Sequence, residues 1–195
     1  MSDSWRTTAG QGRLAVSDMS HQDATQAEVA TVVTAKKILP PKVSVGIRDM
    51  VASDLVTVLR IERNSTGRKW SMAEFKKRIG SMEYAALVAV YDGEVVGYLS
   101  FRKYFREGGD WAVVERMAVD KECRRHGIGS QMLWAVIDRS AIVPSCQGLG
   151  IIVNERQVDQ QVFLQTVGFA CTFMTKADAG GDESFVFEIE MARGE

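Results

Sequence analysis

From Val43 onward, apolar and polar residues fall into short regular phases that residues 1–42 lack. Val43-Ser44-Val45-Gly46-Ile47 alternates with period two, as a half-buried strand does, whereas Leu55, Val58 and Leu59 recur at helical spacing. Ser71-Met72-Ala73-Glu74 has the form of a capping box, with Ser71 accepting from the Glu74 N–H and Glu74 reaching back, and it predicts a helix from there to Gly80. Two strands follow, Ala85 to Tyr91 and Val95 to Phe101. They are joined by Asp92-Gly93, a pair that tolerates the positive φ a two-residue hairpin needs. A further strand is expected over Trp111 to Val119.

Ile128, Met132, Leu133, Val136 and Ile137 then share one face of a helix. Gly150-Ile151-Ile152-Val153 reads as a buried strand, and Val158 to Val167 as a helix that Gly168 ends in the left-handed conformation. In the last strand Phe185, Phe187, Ile189 and Met191 alternate with Ser184, Val186, Glu188 and Glu190, which predicts that the first set is buried. Hairpin strands together with strands flanking helices predict an α/β domain, a mixed sheet with helices on both faces, over residues 43–195. Residues 1–42 carry Ser, Thr, Ala, Gln and Asp without a sustained period and run into Pro40-Pro41. They are expected to form a mobile extension, with an amphipathic helix over Ala24 to Ile38 as the alternative.

Composition narrows the function classes. A chain of 195 residues with 46% hydrophobic content buries one substantial core. Lys and Arg number 24 against 25 Asp and Glu, so no overall field draws the protein to nucleic acid or an anionic membrane, and any anion site must be local. Cys123, Cys146 and Cys171 are odd in number and lack metal-ligand spacing, which favours a reducing compartment, the cytoplasm, and no metal centre. No apolar run approaches the roughly 18 residues of a membrane span, and no basic-then-apolar leader is present.

The candidate chemistry lies in Arg124-Arg125-His126-Gly127-Ile128-Gly129-Ser130, between the strand ending Met117-Ala118-Val119 and the helix starting at Ser130. A strand, a glycine turn and a helix N-terminus form an anion cradle: free N–H groups and the helix dipole face whatever occupies the turn. Gly127 and Gly129 allow close backbone approach, and the arginines suit phosphate oxygens. Met132 stands three positions after Gly129, and no Lys-Ser or Lys-Thr pair follows the glycines, so neither a dinucleotide fingerprint nor a P-loop is present.

Arg124-x-x-Gly127-x-Gly129 resembles the acyl-CoA signature of the GNAT acetyltransferase superfamily. Met117-Ala118-Val119-Asp120 is similar to that family's preceding strand, and Val167-Gly168-Phe169 to its late Gly-Phe motif. The resemblance implies acetyl-CoA as co-substrate, with its pyrophosphate in the turn and contacts from Met117, Ala118, Val119, Arg124, Arg125, His126, Gly127, Ile128, Gly129 and Ser130. It also implies a mostly antiparallel GNAT-like sheet whose fourth and fifth strands splay apart, and a primary amine as acceptor.

Within the superfamily, Val153 to Gln157 and Gln161 to Phe169 resemble the ribosomal-protein alanine acetyltransferases, which modify N-terminal amines. On that likeness Ile152 holds the place of the general-base glutamate, Leu164 that of the acid tyrosine, and Gln157 that of an asparagine at the helix start. Neither Ile nor Leu moves a proton. Glu115, on the strand leading to the turn, is the candidate replacement base, with Glu155 as a second. The competing assignments for Glu115 are an ion pair with a neighbouring Lys or Arg, or exposure to solvent. His126 titrates near neutrality but lies in the phosphate turn, where cofactor contact or exposure fits better than catalysis. Cys123 reads as a packing residue. Two alternatives remain beside an N-terminal acetyltransferase: an acyl-CoA-binding module without turnover, and an enzyme that acetylates small amines.

Overall fold

In the computed structural model of the chain, which describes residues 42–65, 69–106, 109–141, 145–175 and 183–191, Asp92 and Gly93 both have positive φ, 53° and 76°. That turn closes the hairpin of β2 (Tyr84–Tyr91) and β3 (Glu94–Arg106) as expected. Around it lie β1 (Gly46–Asp49), α1 (Leu55–Arg63), α2 (Met72–Lys76), β4 (Gly109–Val119), α3 (Ile128–Ala141), β5 (Cys146–Asn154), α4 (Val158–Val167), β6 (Ala170–Thr175) and β7 (Ser184–Glu190). The readings made for residues 1–41 fall outside the described residues.

The sheet order is β1-β2-β3-β4-β5-β7-β6, and neighbours are antiparallel except β4 and β5. A parallel pair needs a crossover, which α3 supplies. One face of the sheet packs under α1 and α2 through Leu55, Val58, Ile61, Phe75, Val88 and Tyr98. The other packs under α3 and α4 through Leu99, Val114, Met132, Leu133, Leu164 and Phe187, giving the helices on both faces that the pattern predicted. Cys123 is buried in that second cluster, in the packing role expected of it. No helix among the described residues is long and apolar enough to cross a membrane.

Several elements differ from expectation. The first strand starts at Gly46 rather than Val43, because the backbone of Val43 and Val45 bonds to the side chain of Gln131. The capping box of Ser71 and Glu74 forms, yet α2 stops at Lys76: the Arg78 N–H turns to the Phe75 carbonyl at the tighter three-residue spacing, and Gly80 follows at φ 70°. Strand β6 has no counterpart in the sequence pattern. Ile152, read as buried, is 59% exposed, and Val186, assigned to the exposed set of the last strand, is 3% exposed. Both residues face each other across β5 and β7, on the side of the sheet away from α3 and α4. Gly168 ends α4 at φ 110° as expected, its N–H and that of Phe169 both bonding to the Leu164 carbonyl.

Candidate functional site

The last β4–β5 partners are Val114 and Ile151, although β4 continues to Val119 and β5 to Asn154. The two strands therefore part in the middle of the sheet, and among the described residues β4 beyond Val114 pairs with a strand on its β3 side only. A cleft of about 130 Å3 opens in the gap. Met117, Gln157, Gln160, Phe163 and Leu164 line it, and so do Ser65, Glu115, Arg116 and Ile152.

At the end of β4 the chain turns through Arg124–Gly127 into α3. Arg125 takes the left-handed conformation at φ 68°, unusual for a residue with a Cβ, and Gly127 does so at φ 79°. The earliest bond of the α3 ladder runs from the Gln131 N–H to the Gly127 carbonyl at 3.2 Å, so Ile128, Gly129 and Ser130 enter the helix ahead of the first N–H that its ladder uses. A group at this turn meets those N–H groups and the positive end of the dipole. Arg124 contributes less than the motif suggests. Its Nε donates to the Val119 carbonyl at 3.0 Å and its Nη2 to the Asn64 carbonyl at 3.1 Å, tying the end of β4 to the end of α1. Ala118 turns its side chain into the core under α1, and in the register where the Asp120 N–H bonds to the Val96 carbonyl its main chain pairs with Tyr98 of β3, so the main-chain groups that face the gap are those of Met117 and Val119.

Register on β4 explains where the acid residues go. Ser100 pairs with Arg116 but Phe101 with Val114, leaving Glu115 as the extra residue of a β-bulge. Glu115 and Arg116 consequently emerge on the same face, that of α1 and α2, while Val114 and Met117 face the other core. Glu115 Oε2 accepts from Arg78 Nε at 2.9 Å. The Arg78 guanidinium in turn lies 3.7 Å from the Trp70 ring centroid and donates to the Glu74 carbonyl at 2.6 Å. Glu115 is thus paired with an arginine, one of the assignments that compete with its role as base, and also lines the cleft. Glu155, the second candidate, sits in the turn after β5 and does not line the cleft.

A residue that the pattern reading did not single out anchors this face. Glu62, 1% exposed, accepts from Arg116 Nε and Nη2 at 3.0 and 2.8 Å, from the Trp70 N–H at 2.9 Å, from Ser65 Oγ at 2.8 Å and from the Tyr98 hydroxyl. Burial alone would raise its pKa. The bonds from Tyr98, Trp70 and Ser65 and the charge of Arg116 outweigh burial and hold it below the usual glutamate range. Burial, followed by Glu62, pushes the Tyr98 phenol up, so its O–H stays a donor. The signal was present in the sequence: Glu62 lies four residues after Val58 and seven after Leu55, a carboxylate on the apolar stripe of α1.

The remaining expected positions fall as follows. Gln157 precedes α4, its carbonyl accepting from the N–H groups of Gln160 and Gln161, and its residue lines the cleft. His126 uses its carbonyl to hold the Val43 N–H at 3.2 Å. Ile152 and Leu164 both reach the cleft, and neither carries a proton-transfer group.

Solved structures share this fold. NAA60 of Arabidopsis thaliana in complex with a bisubstrate analogue superposes with a TM-score of 0.65 at 17% identity, covering 75% of this chain and 98% of that one. The ribosomal-protein-S18-alanine N-acetyltransferase of Escherichia coli gives 0.64 at 16% identity, with 78% and 97% covered. Naa50 of Arabidopsis thaliana with the bisubstrate analogue CoA-Ac-MVNAL gives 0.63 at 19% identity, with 76% and 100% covered. A search of curated protein sequences finds no match. At these identities the superpositions establish the fold. The sequence itself matches the model of the acetyltransferase (GNAT) family over residues 55–169, a span that runs from α1 through the parted strands and the glycine turn to Phe169. With more than half the chain matched, and with the turn and the opening of the sheet both in place, the protein belongs to the acetyltransferase (GNAT) family.

Proposed function

We propose that the protein transfers an acetyl group from acetyl-CoA to the N-terminal amine of a protein chain, with Glu115 as the general base. The observation that carries this reading is the cleft between β4 and β5, which is lined by Phe163 and Leu164 of α4 and also by Glu115 and Arg116 of the α1–α2 face. A donor entering from the glycine turn and an acceptor entering from the opposite face meet in that gap.

The residues fit acetyl-CoA. Gly127 at positive φ and the ladder-free start of α3 suit a pyrophosphate, with Arg124, Arg125, His126, Ile128, Gly129 and Ser130 around it. The edge of β4 along Met117, Ala118 and Val119 suits an extended amide-bearing arm, and Gln157 offers a further amide. When bound, acetyl-CoA supplies a thioester already activated toward an amine. The protein's contributions are orientation and proton management. Glu115 accepts the proton that the acceptor ammonium must lose, directly or through one water, while Arg78 fixes its carboxylate. Complexes of Naa50 and NAA60 with bisubstrate analogues and the alanine N-acetyltransferase of S18 support a peptide acceptor by analogy. The free thiols of Cys123, Cys146 and Cys171 fit the cytoplasm.

A second reading, an acyl-CoA-binding module without turnover, draws on Ile152 and Leu164 at the positions where the resemblance expects a base and an acid. Thiol release from acetyl-CoA, followed with a panel of N-terminal peptides and small amines beside calorimetric binding of acetyl-CoA, separates the readings. Peptide-dependent release establishes the first, release with small amines alone changes the acceptor class, and binding without release across the panel establishes the second. Absence of binding overturns both.

A further inference from the structure

An anion cradle works only if its carbonyl oxygens, which carry partial negative charge, point away from the ligand. In this protein two carbonyls of the glycine turn, those of His126 and Gly127, are taken up by partners within the chain. The His126 carbonyl accepts from the Val43 N–H at 3.2 Å, and the Gly127 carbonyl accepts from the Gln131 N–H at 3.2 Å and from Gln131 Nε2 at 3.3 Å. Gln131 Nε2 also donates to the Val43 carbonyl at 2.7 Å, and Gln131 Oε1 accepts from the Val45 N–H at 3.2 Å. One side-chain amide thus joins the turn to the segment through which the chain enters the domain. Val43 is buried against the same core as Ile128, which fixes that segment from its other side.

We propose that Gln131 is a positioning residue for the acyl-CoA turn, and that with the backbone of Val43 to Val45 it braces the turn in the conformation that presents N–H groups to a pyrophosphate. The inference rests on the assignment of the turn to acetyl-CoA and adds what keeps it in shape. Without the amide, the Val43 and Val45 backbone loses its partners on α3, and the Gly127 carbonyl keeps only its helical bond. The turn then has alternative conformations, and binding must select among them. The brace acts at the pyrophosphate and at no other point of the ligand.

That locality provides the test. In the full chain, Gln131→Leu keeps the volume and removes every bond of the amide, while Gln131→Glu keeps an acceptor for Val45 N–H and loses the donor to Val43. Calorimetric binding of CoA is expected to weaken about tenfold in Gln131→Leu and less in Gln131→Glu. KM for acetyl-CoA should rise in step, while kcat at saturating acetyl-CoA and KM for the acceptor stay put. Acetyl-pantetheine, which has no pyrophosphate, should be used by wild type and both variants with equal kcat/KM. General damage to the fold lowers turnover with both donors. The proposal is overturned if Gln131→Leu binds CoA as tightly as wild type, or if turnover of acetyl-pantetheine falls as far as that of acetyl-CoA. Wild-type protein that binds no CoA would instead overturn the assignment of the turn, and the brace with it.

Discussion

Gly129 and Phe163 approach so closely that a Cβ on Gly129 would stand 3.2 Å from the Phe163 ring. The start of α3 therefore meets the middle of α4 at a ring that also lines the cleft. Gly129→Ala should be near neutral in stability, since the helix gains up to about 1 kcal/mol from losing a glycine and the half-exposed ring gives way by a few tenths of an ångström. Gly129→Leu should drive Phe163 across the cleft and abolish CoA binding by calorimetry without lowering the melting temperature to match. Intact binding in the leucine variant would refute this placement of the donor channel.

Glu62 makes the α1–α2 face of the protein sensitive to acid. Its folded pKa lies below the unfolded value of roughly 4.3, so the stabilisation is fully present above that value and is lost as pH falls through the folded pKa. Urea midpoints should fall on acidification below about pH 4.5, and Glu62→Gln should show a shallower fall over the same window. Glu62→Ala leaves the partly buried Arg116 without this partner and removes the acceptor of the buried Tyr98 hydroxyl, and should cost about 3 kcal/mol. A loss under 1 kcal/mol would show that the network is dispensable.

Ile152 and Glu115 line one cleft, and Ile152 is exposed, so a carboxylate at position 152 needs no burial. Glu115→Gln should lower kcat/KM by at least about a hundredfold. Adding Ile152→Glu to that variant should recover part of the loss, with melting temperature unchanged. Full activity of Glu115→Gln would remove the proton-transfer role from Glu115, and a loss that Ile152→Glu leaves unrecovered would remove it from position 152.

Gly148 of β5 is the parallel-register partner of Trp111 on β4. A Cβ there would come within 2.5 Å of the Ile189 carbonyl and 2.6 Å of the Trp111 ring. Because the first of these is backbone, Gly148→Ala should destabilise by about 1–3 kcal/mol in chemical denaturation. An unchanged midpoint would contradict the packing between β5 and β7.

Local chemistry was readable in the sequence wherever one or two residues decide the outcome. Asp92-Gly93 dictates its hairpin and Gly168 its helix end, and the apolar face of α3 fixes which side of the helix packs. The glycine turn was legible for the same reason. What stayed hidden depends on partners far along the chain. Nothing in Ala170–Thr175 alternates, because β6 is an edge strand with a bulge at Thr172 and nearly every side chain exposed. Ile152 looked like core because its neighbours are. The bulge that sends Glu115 and Arg116 to the same face is a property of the β3–β4 register, and no spacing within β4 reveals it. Arg124 carried the motif, but its bond to the Asn64 carbonyl belongs to tertiary structure.

The parting of β4 from β5 has a consequence for how the protein must be handled. Among the described residues, from Glu115 to Ala118 a strand at the centre of the sheet lacks a strand partner on one side, as an edge strand does, and open edges are where chains exchange strands and aggregate. A ligand lying along that edge covers it and shifts the folding equilibrium as well, by about 2.7 kcal/mol at a hundredfold excess over its Kd. The lifetime of the purified protein, and its resistance to clumping at high concentration, should therefore track the supply of acetyl-CoA.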